Sequence, residues 1–402
     1  MGVACAGAAA ACLAAAAFLA LGGCDARSTA GDGGPLPDAT DTGDGADVPD
    51  AAADADAREG LDGDGLDLDA PGEDDPGAAD AGPDAVEDAG ADVRPEPAWR
   101  EIGRQDTTRF ISGAVYGDRV YGGTHLAGSS AIYDSPPFRM QQFFGGESVL
   151  DFCEFGGALY SSHENGPQIY RFSGGAWELA HDHGGGWTYM FFMIAFQGAL
   201  FATGGTADGV RLVRTYDGAA FTETAAMPGW NWVPVEYGGE LYLLGHDGPA
   251  YAAEPASAVR SGDGVHFTRV EALGGGPEYQ CAFAWNGTLY LGTGGWTNDR
   301  GSDGCAVIYA YDGAARAEVF RTDRNGVTDI AAFRGRLYAT VDSGWERGSG
   351  DSRLYESEDG YTWALKRTFP DPEMRHMEAL GDSALILFGG RAGGYGVIYG
   401  WE

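Results

Sequence analysis

Residues 155–160 read Phe155-Gly156-Gly157-Ala158-Leu159-Tyr160: an aromatic residue, a two-residue turn, one spacer and an apolar pair. A Gly-Gly pair supplies the two positive φ angles of a type I′ turn, so the stretch predicts a tight hairpin between two antiparallel strands. The same order appears in Tyr116-Gly117-Asp118 leading to Val120-Tyr121, and it recurs with turn pairs such as Gly238-Gly239 and Asn286-Gly287. Taking the last apolar residue as an anchor gives Tyr121, Tyr160, Phe201, Tyr242, Tyr290, Tyr338 and Leu385, spaced by 39, 41, 41, 48, 48 and 47 residues. A second hairpin follows in each copy, as in Tyr170-Arg171-Phe172-Ser173-Gly174-Gly175-Ala176-Trp177 and Tyr216-Asp217-Gly218-Ala219-Ala220-Phe221.

Four strands at a period near 44 residues describe one blade of a β-propeller, and seven anchors predict seven blades over residues 98–402. The fold class expected is therefore all-β, a seven-bladed propeller of four-stranded antiparallel blades. The last copy stops at Tyr399-Gly400-Trp401-Glu402, one strand short. Ala98-Trp99-Arg100-Glu101-Ile102 resembles Ala176-Trp177-Glu178-Leu179 and would supply the missing strand, closing the ring.

Composition divides the 402 residues further. The segment from Asp25 to Ala98 holds 19 Asp, 4 Glu and 3 Arg, and no aromatic residue. Without bulky side chains it cannot build a core, and self-repulsion keeps such a chain extended, so 24–97 reads as an acidic tether. The alternative of a calcium loop lacks a closing glutamate and flanking helices. The net charge of -35, with Lys366 the only lysine, excludes nucleic-acid binding, which needs clustered cations.

Residues 1–23 are rich in Ala and Leu and end in Leu21-Gly22-Gly23 before Cys24. This resembles a bacterial lipoprotein signal peptide. The resemblance implies cleavage before Cys24, acylation of that cysteine and anchorage to a membrane of the cell envelope, at the outer membrane, cell surface or periplasmic side. An ordinary secretory signal is the other reading, and the leaflet is open.

Glycine doublets at Gly122-Gly123, Gly204-Gly205, Gly294-Gly295 and Gly389-Gly390, with Tyr216, Phe221 and Met227-Pro228 in the third copy, resemble the kelch repeat. Ser261-Gly262-Asp263-Gly264-Val265-His266-Phe267 and Ser357-Glu358-Asp359-Gly360-Tyr361-Thr362-Trp363 resemble the Asp-box of sialidase-like propellers. Fold alone does not give function.

Loops after second strands and before first strands share one face, and they carry His125, His163, His246, Trp296 and Trp345, with Trp187, Tyr189, Trp230, Trp232 and Tyr279. Flat rings beside polar groups suit a sugar or peptide. The candidate ligand-binding residues are Trp187, Trp230, Trp232, Trp296, Trp345 and His246. No cofactor is expected except a metal ion at His181 and His183, which an extended strand would point to the same side. Asp151, Asp329 and His376 hold one repeat position, where they would line the channel or pair for acid–base work. Cys281 and Cys305 are candidates for a disulfide in an exported chain. The reading is a monomeric binding module for a glycan, peptide or partner protein. The alternative, raised by the kelch-like copper enzyme galactose oxidase, is a carbohydrate-active or copper-dependent enzyme on the same scaffold.

Overall fold

The computed structural model describes residues 98–401, except 107, 126–130, 135–138, 145–147, 165–166, 185, 207–208, 228, 248–254, 295–304, 344–349 and 392–393. Cys24 and the segments 1–23 and 24–97 lie outside these, as do Trp296 and Trp345. The side chains of residues 188, 189, 191 and 230–232 are likewise outside the description.

Among the described residues, the strands form seven four-stranded antiparallel sheets. Their first strands are Arg109–Tyr116, Val149–Phe155, Trp187–Phe196, Trp230–Tyr237, Tyr279–Trp285, Gly326–Phe333 and Glu373–Leu380, in blades 1 to 7. These first strands contact one another in order, with blade 7 returning to blade 1, and so form the inner wall of a ring. Blade 7 takes Ala384–Arg391 and Tyr395–Trp401 from the C-terminus and its outer strand, Trp99–Gln105, from the N-terminal side. Trp99 pairs with Trp401 across that seam and stacks on it at 5.6 Å. The architecture is thus an all-β seven-bladed propeller closed between its two ends.

The turn chemistry is as the sequence demands. Gly156 and Gly157 have φ of 58° and 76°, Asn286 and Gly287 48° and 78°. Such angles exclude most side chains, which is why the turns are written in glycine and asparagine. All these hairpins lie at one end of the ring, called here the hairpin face. The other end is the loop face.

A second turn repeats on the hairpin face. The hydroxyls of Thr215, Ser261 and Ser357 donate to Asp217, Asp263 and Asp359 at 2.9, 2.9 and 3.1 Å, and accept from the N–H of Gly218, Gly264 and Gly360. Each aspartate also accepts two backbone N–H groups further along. Blade 3, whose sequence reads differently from blades 4 and 6, therefore makes the same turn. Its three glycines have positive φ, and a Cβ on them would overlap Tyr160, Phe201 and Tyr290 of the preceding blade. The recurrent anchor aromatic is the surface on which the next blade's turn sits.

Every first strand carries a β-bulge at the same height, between Phe110/Ser112, Val149/Asp151, Met190/Met193, Asn231/Val233, Tyr279/Cys281, Val327/Asp329 and Met374/His376, and that of blade 3 has a second between Trp187 and Tyr189. In blades 1, 2, 5 and 6 the residue after the bulge reaches the next blade. Ser112 donates to the Val149 carbonyl at 2.7 Å, Asp151 accepts from Met193 N–H at 2.7 Å, and Asp329 accepts from Met377 N–H at 2.7 Å. His376 Nδ1 lies 3.3 Å from Asp329. This corrects the expectation of channel-lining groups: Asp151, Asp329 and His376 are buried and tie blade to blade. Nearby Ile111, Leu150, Phe192 and Val233 join one buried apolar cluster spanning blades 1–5. Burial pushes Asp151 up to about 7, against the Met193 hydrogen bond. For His376, burial is outweighed by Asp329 and Glu378, which raise it well above its usual value.

The expected bridge is also corrected. Cys281 and Cys305 are separate thiols. Cys281 instead donates to the Val327 carbonyl of blade 6 at 3.4 Å, filling the same inter-blade role as Ser112.

Candidate functional site

The loop face begins where first strands start and second strands end. Register sets Arg109 opposite His125, Val149 opposite His163, Trp230 opposite His246, Gly326 opposite Asp342 and Glu373 opposite Gly390. Beneath it runs a row of buried charges from four consecutive blades. Arg375 lies 3.4 Å from Asp342 of blade 6 and 3.4 Å from Glu373. Glu373 accepts two hydrogen bonds from one amino group of Arg109 in blade 1, at 2.6 and 2.8 Å. Arg109 approaches His125 Nδ1 at 3.5 Å, and His125 Nε2 lies 4.0 Å from Glu164 of blade 2.

Arg109 and Glu373 are 0% and 1% exposed at their side chains, so each charge depends on its partner. Losing one partner of a buried pair costs about 3–5 kcal/mol. Burial draws Arg109 down to about 10, with Glu373 opposing. It drives Glu164 up to about 7, against Ser148 and Arg109, making this carboxyl a hydrogen-bond donor for part of the population at neutral pH. His163 is pulled down to about 3 by burial, and His246 to about 4 by burial against Asp247. Both are neutral imidazoles. His246 Nε2 lies 3.7 Å from Glu278 of blade 5.

None of the residues forming the charged row was singled out from sequence as a chemical group except His125, because charges at strand ends look like solvated surface. One signal was available: Arg109 and Glu373 occupy equivalent positions in blades 1 and 7, with opposite charge.

The structure brings His181 and His183 together, with ring centroids 4.2 Å apart. Each is also stacked, His181 on Phe221 at 4.7 Å and His183 flat on Trp187 at 3.8 Å. Burial lowers both, His183 to about 4. The result is an aromatic ladder between blades 2 and 3. Among the described residues no three His, Cys, Asp or Glu side chains gather for a metal ion. Trp187 is half-buried and covers Gly204, where a Cβ would overlap the indole. Trp230 and Trp232 lie in the first strand of blade 4, at its loop-face end.

No protein-family model matches the chain, and no curated protein matches it. The chain is similar to solved structures. YCF48 bound to a D1 peptide is 13% identical with a TM-score of 0.52, over 75% of this chain and 96% of that one. Sqt1 from Saccharomyces cerevisiae is 10% identical with a TM-score of 0.46, over 74% of this chain and 98% of its own. At 13% identity the likeness to YCF48 is one of fold.

Proposed function

We propose that the chain is an exported propeller, lipid-anchored through Cys24, that acts as a binding module for a glycan, peptide or partner protein on its loop face. The observation that carries the binding reading is the asymmetry of the ring's two faces. On the hairpin face the first and second strands are joined by turns as short as that between Phe155 and Ala158. On the loop face the connections run from His246 to Ala256, from Thr293 to Ala306 and from Asp342 to Ser352. These long connections belong to adjacent blades 4, 5 and 6, and their sequence includes Trp296 and Trp345. Long segments on a rigid frame are where recognition groups are placed. The buried row from Asp342 to Glu164 gives that face a fixed polar floor on blades 6, 7, 1 and 2. The peptide named with YCF48 fits this reading.

The test is a glycan and peptide binding screen of the mature chain alongside Trp230→Ala and Trp296→Ala variants. Ligand bound by the wild type and lost, by tenfold or more, in either variant is expected. Ligand retained at full affinity in both would place recognition elsewhere. Anchorage is read separately: radioactive palmitate should label the wild type in bacterial cells and not Cys24→Ala, and an unlabelled wild type would refute it.

A further inference from the structure

In blades 3, 4 and 6 the Asp turn on the hairpin face seats its glycine on the anchor aromatic of the preceding blade. Blade 5 departs from this. Tyr311 pairs with Leu289 where Thr215, Ser261 and Ser357 pair with Leu200, Leu241 and Leu337, so a tyrosine stands in place of the hydroxyl residue that anchors the turn. Asp312 follows it directly, one residue sooner than in the other three turns, and accepts the Ala314 and Ala315 N–H groups. The shortened turn stands off from the anchor: a Cβ on Gly313 would meet the Tyr237 hydroxyl at 3.7 Å and no atom of Tyr242 within 4 Å. The space that the turn fills elsewhere is left here as a cavity of about 590 Å³ between blades 4 and 5. Its size falls within the range of small-molecule sites.

Register fixes which side chains face the cavity. Val235 pairs with Tyr242, Tyr237 with Glu240 and Tyr242 with Arg260, so all five lie on one face of blade 4. That face looks toward blade 5, because the Tyr237 hydroxyl donates to the Gly287 carbonyl at 3.0 Å. Ala284 forms the opposite wall, and its small side chain leaves the space open. Tyr237 is half-buried and tied at its hydroxyl, so its ring is a fixed, flat apolar platform. Arg260 donates to Glu240 Oε2 at 3.0 Å. Their side chains are 42% and 37% exposed, which leaves Glu240 Oε1 and guanidinium N–H groups for a ligand.

The Arg260–Glu240 pair cancels its own charge. An anionic ligand would have to displace Glu240 and a cationic one Arg260, whereas a neutral polyol accepts from the guanidinium and donates to the carboxylate with the pair intact. A flat ring beside such a pair suits a pyranose, whose C–H face covers apolar surface. We propose that this cavity binds a neutral sugar ring, stacked on Tyr237 and held through adjacent hydroxyls by Arg260 and Glu240. The site is separate from the loop face and does not depend on recognition there.

Calorimetric titration of the full chain tests this with the methyl glycosides of glucose, galactose and mannose, each also as its 6-carboxylate and 6-amino derivative. Saturable binding of at least one neutral glycoside is expected, with both of its charged derivatives about tenfold or more weaker. Ala284→Leu, which fills the cavity, and Tyr237→Leu, which removes the platform, should each weaken that glycoside by about tenfold or more. Glu240→Gln, at a part-exposed position that leaves the fold intact, should weaken it several-fold, and Trp230→Ala on the loop face should leave it unchanged. The proposal is overturned if no neutral glycoside saturates, if a charged derivative binds as tightly as its neutral parent, or if binding is lost in Trp230→Ala instead. It is equally overturned if Ala284→Leu, folded with an unchanged Tm, keeps full affinity; where that variant does not fold, full affinity in Glu240→Gln overturns it.

Discussion

Asp151 shows how position decides what a carboxylate does. Its sequence neighbours, Leu150 and Phe152, are both buried, and strand alternation alone would send the side chain toward an axis imagined as wet. The bulge before it turns it toward blade 3 instead, where it accepts the Met193 N–H. A buried carboxyl whose native value is near 7, against an unfolded value near 4, holds its proton more tightly in the folded state. The folded chain then binds more protons than the unfolded chain across roughly pH 4–7, so this group's contribution declines as pH rises through that window, by up to about 1.4 kcal/mol per pH unit. His163, held near 3, acts in the opposite sense between about pH 3 and 6.5. Comparing wild type with Asp151→Asn cancels His163. The stability of the variant relative to wild type is expected to rise steadily from pH 4.5 to 7.5 in urea denaturation, and a difference independent of pH would show that Asp151 is ordinarily ionised.

At the scale of the element, the hairpins were readable because each is a local event, set by two residues with positive φ and an adjoining apolar pair. The bulges were not, since nothing in Val149-Leu150-Asp151 distinguishes a bulged strand from a regular one. Their effect appears only when the next blade supplies the partner. The Asp turns fall between these cases. Ser357, Asp359 and Gly360 are visible in sequence, but the reason Gly360 must lack a Cβ is Tyr290, seventy residues earlier. Gly360 has a φ of 78°. Alanine there combines a left-handed conformation, at about 1–2 kcal/mol, with overpacking against the tyrosine, at about 1–3 kcal/mol. Gly360→Ala should therefore destabilise the chain by about 2–5 kcal/mol in denaturant titration. Gly117→Ala, where φ is 64° but the Cβ would meet open space, should cost only the first part. Equal losses at the two positions would mean that the Tyr290 contact carries no weight.

For the whole molecule, closure is the property that no blade holds alone. The repeat period and the truncated last copy made the closing strand legible, because the missing piece had a sequence counterpart at the other end. The charged row from Asp342 to Glu164 stayed hidden, because it is assembled from four blades and has no local pattern. The closing strand Trp99–Gln105 does more than complete a sheet. Trp99 stacks on Trp401, meets Phe369 of blade 6 edge-on at 5.5 Å, and Arg104 lies over Tyr395 at 4.4 Å. Removing residues 96–104 would expose the backbone edge of Tyr395–Trp401, an apolar and β-prone stretch, and uncover part of the blade 6 surface. Trp99→Ala keeps the backbone pairing and loses only the ring contacts. The deletion is expected to lower Tm by clearly more than Trp99→Ala does and to promote self-association seen by light scattering, since the open edge is a template for a second chain. If the deletion melts like the wild type and stays monomeric, the strand is an ornament on a ring that closes without it, and the stability of the propeller would have to reside in the inter-blade contacts of the inner wall alone.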